Sequence, residues 1–322
     1  MKKLLSTVLV LIFLLLTVTY FIPATIQKQV FIASTFQNII SSVTVPQNWI
    51  KWNADIRHAC LKNSSACSFS QDTAQQFTLS VPGKKISITT LNYLLYRVEE
   101  TAADHTGIFT FSVIPYVGNG QPRSQHNTTI AYAQPTRLLY RLLPFLNHSS
   151  FAEKTISDLA SYLHDNTRFY GFPINLIQDT NSLFLTKKQI VAQKDLFPAM
   201  TALFSGIESV AAKNNCRPGF KNISFNNTGN DSAEILAGLN IDKVIDGSDG
   251  YSFMQLVPGQ ILLTGHYEGP FNKRTNLYQA MEKYLLDHQL VKGGASFERY
   301  LSPLPVSDAS AIRMELCYPL RY

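Results

Sequence analysis

Hydrophobic and polar positions change their period twice along this chain. Residues 4–22 form an unbroken apolar stretch dominated by Leu, Val, Ile and Phe, with no charge inside it. From residue 26 onward, short runs alternate between apolar and polar positions. A strand is predicted at residues 29–33, and further alternating runs cover 69–79, 86–96, 108–116 and 126–133. Alternation at period two marks strands with one buried face. Turns rich in Gly, Pro, Asn and Asp separate these runs, including Pro82-Gly83 and Gly118-Asn119-Gly120. Helical spacing appears in the stretch that ends near Trp49-Ile50-Lys51-Trp52. It returns over residues 151–164, where Phe151, Ile156, Leu159, Ala160 and Leu163 share one face. This order predicts a curved antiparallel sheet wrapped on a long C-terminal helix.

The second half of the chain repeats itself. A strand at 183–192, a helix at 195–213 and strands at 220–225 and 233–241 are followed by a strand at 260–267. A helix at 272–288 and strands at 296–301 and 311–318 complete the second round. The offset of roughly 75–80 residues reads as a βαββ duplication and not as a solenoid, which needs at least three repeats. In the second helix Leu277, Met281, Tyr284, Leu285 and His288 form one stripe, which should cover the sheet. The fold class expected is therefore α+β, with an N-terminal helix ahead of two sheet domains.

About 20 apolar residues of helix span a bilayer core of roughly 30 Å, so residues 4–22 are read as a transmembrane anchor. Lys2 and Lys3 precede the segment and only Lys28 follows closely. That asymmetry favours an N-terminus inside and soluble domains outside, periplasmic in a bacterium. A cleaved signal peptide is the rival reading, although Ile22-Pro23-Ala24-Thr25 is a poor small-x-small site. The segment has no nearby Cys that would mark a lipoprotein.

The net charge of +6 is spread out. Lys2 and Lys3 give +2, residues 24–165 give +3 and residues 166–322 give +1. With no basic run interleaved with aromatics, a nucleic-acid partner is not expected. Of the four cysteines, Cys60 and Cys67 enclose a short polar loop and are the candidate disulfide, with two free loop thiols as the alternative. Cys216 and Cys317 are left unpaired. No spacing of Cys and His suggests a metal. Neither GxSxG, HExxH, a phosphate loop nor GxGxxG occurs, so no cofactor is implied. Asp246-Gly247-Ser248-Asp249-Gly250 lacks the Glu of an EF-hand and is a polar turn, and His58, His105 and His126 are isolated. Sequons begin at Asn63, Asn127, Asn147, Asn222, Asn226 and Asn230, and they carry weight only in a glycosylating pathway.

Two stretches resemble known families. Val30-Phe31-Ile32 before a helix, the Trp49-x-x-Trp52 pair, the run of strands and the final helix make residues 26–165 similar to polyketide cyclase/START-like (SRPBCC) helix-grip domains. That resemblance implies a hydrophobic cavity between sheet and helix. The alternative is that Trp49 and Trp52 simply pack the core. In residues 166–322, three segments resemble the GyrI-like effector-binding domain of AraC-type and multidrug-responsive activators. They are Gly265-His266-Tyr267-Glu268-Gly269-Pro270-Phe271, Phe297-Glu298-Arg299-Tyr300-Leu301-Ser302-Pro303 and Arg313-Met314-Glu315-Leu316-Cys317-Tyr318-Pro319-Leu320.

The second resemblance implies a channel walled by aromatics and buried carboxylates, in which an organic cation stacks on rings and meets a compensating charge. Carried onto this chain, it gives Tyr267, Glu298, Tyr300 and Glu315 as the ligand-binding residues. Glu298 and Tyr300 are spaced i, i+2, as are Glu315 and Cys317, so each pair shares a face. Two departures matter. No helix-turn-helix precedes this domain, and it holds no Trp to pair with a catalytic Glu, as some hydrolase relatives do. The function expected is a non-catalytic, membrane-anchored sensor or carrier of small apolar or cationic molecules. The alternatives are a hydrolase using Glu298 or Glu315 as general base and an inhibitory protein-interaction module.

Overall fold

Helix α1 (Lys2–Phe21) opens the chain in the computed structural model and stops where Ile22 and Pro23 turn the backbone into strand β1 (Pro23–Ala33). Proline biases the residue before it away from helix, which sets this boundary. The structure describes residues 2–63, 67–103, 106–115, 127–142, 151–180, 183–229, 231–245 and 250–321, with side chains in α1 from Thr7 onward. Among these, no helix is long and apolar enough to cross a membrane. The transmembrane anchor expected at 4–22, and the single-pass membrane placement built on it, do not hold.

The chain divides into two units, Met1–Phe169 and Tyr170–Tyr322, each an antiparallel sheet with helices. In the first unit β1 leads into α2 (Phe36–Thr44), α3 (Trp49–Trp52) and α4 (Ala54–Lys62). Thr35 caps α2 by accepting from the Asn38 N–H, and Asn53 caps α4 by accepting from the Ile56 N–H. Strands β2 (Ser68–Thr73), β3 (Gln76–Val81), β4 (Lys84–Asn92), β5 (Leu95–Ala102), β6 (Thr106–Pro115) and β7 (Asn127–Arg137) follow, then α5 (Leu138–Leu142), α6 (Phe151–His164) and α7 (Asn166–Tyr170). The sheet order is β1-β7-β6-β5-β4-β3-β2.

Two runs expected as single strands, 69–79 and 86–96, are each broken by a hairpin turn. Neither turn contains Gly or Pro. Thr73 Oγ1 accepts from the Gln75 N–H in one, and Asn92 Oδ1 from the Leu94 N–H in the other. These side-chain turns replace the glycine signal.

The face of this sheet that meets α6 is filled by large side chains, among them Trp49, Trp52, Phe77, Tyr96, Phe109 and Phe111, all buried. Trp49 and Trp52 donate their indole N–H groups to the Val43 and Ser42 carbonyls, both at 3.0 Å. They are core residues. Cys60 and Cys67 are joined by a disulfide, with Cα atoms 5.6 Å apart. The Gly118-Asn119-Gly120 and Asp246–Asp249 turns, His105 and His126, and the sequon residues Asn147 and Asn230 lie outside the described residues.

The second unit starts with β8 (Ile174–Gln178). Two βαββ rounds follow: β9 (Leu183–Ala192), α8 (Leu196–Lys213), β10 (Pro218–Gly229) and β11 (Ser232–Ile241); then, after β12 (Ser252–Gln255), β13 (Ile261–Pro270), α9 (Thr275–His288), the short β14 (Val291–Lys292), β15 (Phe297–Tyr300) and β16 (Ala311–Arg321). The sheet order β12-β9-β11-β10-β15-β16-β13-β8 reads alike from both ends, with β10 against β15 at the centre. Both helices pack on one face, in a single core that joins Met200, Leu203 and Ile207 to Leu277 and Met281 through Ile223, Leu263 and Leu316. A Cβ at Gly265 would lie 2.7 Å from Leu277 Cδ1, so this glycine lets α9 approach β13 closely.

Candidate functional site

Strand β15 holds four residues, Phe297-Glu298-Arg299-Tyr300, and presents them alternately to the two faces of the sheet. Glu298 and Tyr300 face the helices. Phe297 and Arg299 face the other side. The β15–β16 register sets Glu298 opposite Leu316 and Arg299 opposite Glu315. Directly opposed residues share a face, so Glu315 falls on the side of Arg299 and away from Glu298. Tyr267, opposite Met314, is on the helix side, but its hydroxyl is donated to the Pro270 carbonyl at 2.6 Å. Of the four residues expected to line one pocket, the structure brings together Glu298 and Tyr300 and sets Glu315 on the opposite face.

Glu298 is fully enclosed, at 0% exposure, and both its oxygens are engaged. Oε1 accepts from Arg274 Nε at 2.7 Å and from the Tyr278 hydroxyl at 2.8 Å. Oε2 accepts from the Tyr300 hydroxyl at 2.5 Å. The Arg274 guanidinium lies 3.5 Å from the centre of the Phe271 ring and 5.3 Å from that of Phe225. Burial, and next the Glu298 charge, push the Tyr278 and Tyr300 hydroxyls well above the usual tyrosine range, so both remain donors at neutral pH. The positive charge paired with Glu298 is that of Arg274, a residue of the same chain. These three hydrogen bonds, two on Oε1 and one on Oε2, fix the Glu298 carboxylate in place.

On the other face Arg299 donates from Nη1 to Glu315 at 3.3 Å and from Nη2 to Asp179 at 3.3 Å. His266 Nδ1 is 3.5 Å from Glu315 Oε1. The buried Cys317 thiol is pushed up to about 12, chiefly by burial, against the pull of Arg299.

Along this face a cleft of about 310 Å³ runs over β9, β11, β10 and β15. Its floor is Phe184, Gly238 and Phe297, and Met254, Leu256 and Val257 wall it. None of its lining residues carries a titratable side chain. At its edge the sequon residue Asn222 is buried and donates to the Phe220 and Asn240 oxygens, while its own Oδ1 is enclosed without a partner. The first unit carries a wider depression, about 550 Å³, over Thr110, Ser112, Ala131 and Ala133 on the face away from α6. Small and polar side chains floor it.

No protein-family model matches the chain, and no curated protein sequence matches it. Solved structures do resemble it. The EcmrR C-terminal domain is similar over 47% of this chain and 98% of its own, at 14% identity and a TM-score of 0.38. A hydrolase from Listeria innocua is similar over 46% and 91%, at 10% identity and 0.37. A START superfamily protein from Mycobacterium smegmatis is similar over 44% and 97%, at 13% identity and 0.28. Each spans about half of the chain. What this chain binds rests on its own side chains.

Sequence reasoning missed Arg274 and Tyr278, which complete the Glu298 cluster. Their i, i+4 spacing puts them on one side of α9, next to the apolar stripe. A polar pair at that spacing beside a buried stripe is the signal that would have found them. The cleft residues had no comparable mark, because Gly238, Phe297 and Met254 come together only through sheet pairing.

Proposed function

We propose that the second unit binds a small, uncharged and mostly apolar molecule in the cleft over β9, β11, β10 and β15. The observation that carries this reading is the cleft itself, which combines an apolar floor with a lining free of titratable groups. Ligand pockets are typically concave and mainly apolar with a few polar groups, and about 310 Å³ is at the small end of their range. Catalysis is not part of the proposal, since nothing in the cleft lining can act as a general base at neutral pH.

The test is a fluorescence titration of the full chain with the neutral apolar dye N-phenyl-1-naphthylamine. Saturable one-site binding is expected, with affinity flat between about pH 5 and pH 9, because no group titrating there lines the cleft. Gly238→Ala adds a methyl whose nearest neighbour is 3.5 Å away, so the fold accepts it while the floor rises. That change should weaken binding about tenfold or more. Absence of saturation, or affinity indifferent to Gly238→Ala, would refute the reading.

A further inference from the structure

Among the described residues, three buried side-chain polar atoms have no hydrogen-bond partner: Gln134 Oε1, Asn222 Oδ1 and Arg299 Nε. The last two belong to cross-strand partners. Asn222 of β10 is directly paired with Arg299 of β15, so both side chains stand on the sheet face away from the helices. Asn222 lines the cleft, and the Arg299 guanidinium lies 5.8 Å from the centre of the Phe297 ring on the cleft floor. Protein interiors seldom leave such atoms alone, and each one calls for a water or a ligand.

Turning the Asn222 amide over does not remove the mismatch. Its nitrogen is 3.0 Å from the Phe220 carbonyl, and reversing the amide would set oxygen against oxygen there. The same nitrogen donates to Asn240 Oδ1 at 2.8 Å. Arg299 is also held, with Nη1 on Glu315 and Nη2 on Asp179, each at 3.3 Å. A guanidinium keeps its protons at every working pH, so Nε is a donor and nothing else. The pair therefore presents one buried donor beside one buried acceptor. A single group satisfies both only if it accepts and donates at once, and a hydroxyl is the smallest that does. A ketone or a carboxylate only accepts, and an amine, protonated at neutral pH, only donates.

We propose that the ligand of this cleft is an alcohol whose hydroxyl accepts from Arg299 Nε and donates to Asn222 Oδ1. This rests on the cleft being the apolar ligand site proposed for the second unit, and it adds the one polar group that ligand carries. Phe184, Phe297, Met254 and Val257 take the apolar body. Asn222 and Arg299 then set specificity, because a hydrocarbon of the same shape leaves both unpaired. A site that must leave buried polar groups without partners discriminates more strongly than one that loses a little apolar contact.

The experiment displaces N-phenyl-1-naphthylamine from the full chain with bicyclic molecules of nearly equal size: 1-indanol, 1-indanone, indole and indane. The alcohol accepts and donates, the ketone only accepts, indole only donates and indane does neither. On wild type, 1-indanol should bind at least about tenfold more tightly than each of the others. Asn222→Leu removes the acceptor and should bring 1-indanol and 1-indanone within about threefold of each other. Arg299→Lys keeps a positive charge for Glu315 and Asp179 but puts a methylene in place of Nε. It should bring 1-indanol and indole within about threefold. Melting curves report whether the variants fold, and the wild-type ranking decides alone where they do not. An order that follows apolar surface, with indane tightest, overturns the alcohol while leaving dye binding and its response to Gly238→Ala intact. Equal displacement by all four means that a buried water satisfies the pair, and it overturns the alcohol as well. So does a preference for 1-indanol that survives both substitutions. Loss of saturable dye binding removes the cleft reading itself, and the alcohol with it.

Discussion

The two βαββ rounds of the second unit share a topology and treat charge in opposite ways. In the first, Lys221 of β10 pairs with Glu208 of α8 at 2.8 Å, and their side chains are 33% and 44% exposed. In the second, Glu298 of β15 pairs with Arg274 at the head of α9, at 2.7 Å and 0% and 16% exposure. Both pairs tie a strand to helix-side structure. Water reaches the first, which makes it one ion pair among many. The second is enclosed by Tyr278, Tyr300 and Phe271, so its charges depend on each other and not on solvent. Burial, more than the presence of an ion pair, separates a surface contact from a site.

The largest effect expected from this contrast is at Glu298. Glu298→Gln keeps the shape and removes the charge, leaving Arg274 enclosed without a counter-ion. Unfolding free energy of the second unit should fall by about 3–5 kcal/mol. Trp49 and Trp52 are the chain's only tryptophans and sit in the first unit, so tryptophan emission in urea should stay nearly unchanged while near-ultraviolet dichroism from the tyrosines shifts. The double change Arg274→Met with Glu298→Leu should return much of the loss, because no unpaired charge remains. A loss under about 1 kcal/mol for Glu298→Gln would mean that water enters the nest around Glu298 and that the contrast is false.

The same contrast explains what could be read from sequence. Most elements of the second unit were legible because its long strands carry apolar runs and α8 and α9 carry full apolar stripes, whereas the short, mostly exposed β8 and β12 were not expected. Residues 183–192 were expected as a strand and are one, with Leu185 and Val191 buried. In the first unit, hairpins at Ala74 and Tyr93 were hidden, because Thr73 and Asn92 make turns without Gly or Pro. The site was half legible. Glu298 and Tyr300 were singled out by the resemblance to the effector-binding domain, and their i, i+2 spacing places them on one face of β15. Spacing within a strand says nothing about its register with the next, and the register sets Glu315 opposite Arg299 on the far face. The apolar stretch at residues 4–22 was read from its composition as a membrane span, and among the described residues no helix is long and apolar enough to be one.

Alkaline pH should divide the two rounds next. The first round, residues 183–241, contains no tyrosine, whereas the second holds Tyr278, Tyr300 and Tyr318. Burial, then the adjacent carboxylates Glu298 and Glu282, raise all three far above the ordinary tyrosine value of 10.0. A folded-state value above the unfolded one means that stability is full below about pH 10 and falls as pH rises past it, because only the unfolded chain ionises there. Tyrosinate absorbance of these residues should therefore appear together with unfolding of the second unit and not before it. Tyrosinate developing fully while dichroism stays native would show that the hydroxyls are open to solvent.

The smallest expected effect is at the exposed pair, and it is the control that gives the others meaning. Lys221 and Glu208 are held at 2.8 Å, and the Lys221 ammonium also lies 5.5 Å from the centre of the Phe204 ring. Water competes for both charges, and exposed pairs contribute about 0–1 kcal/mol. Lys221→Met retains the apolar stem over Phe204 and should change the unfolding free energy by less than about 1 kcal/mol. Whatever the pair contributes should shrink further in molar salt, where the screening length drops to about 3 Å. The Glu298→Gln penalty should be nearly indifferent to salt, since ions do not enter an enclosed nest. The decisive measurement is urea unfolding of both variants at low and molar salt. If Lys221→Met costs as much as Glu298→Gln, or if both penalties fade equally with salt, the two rounds do not differ by burial, and the nest around Glu298 is an ordinary ion pair.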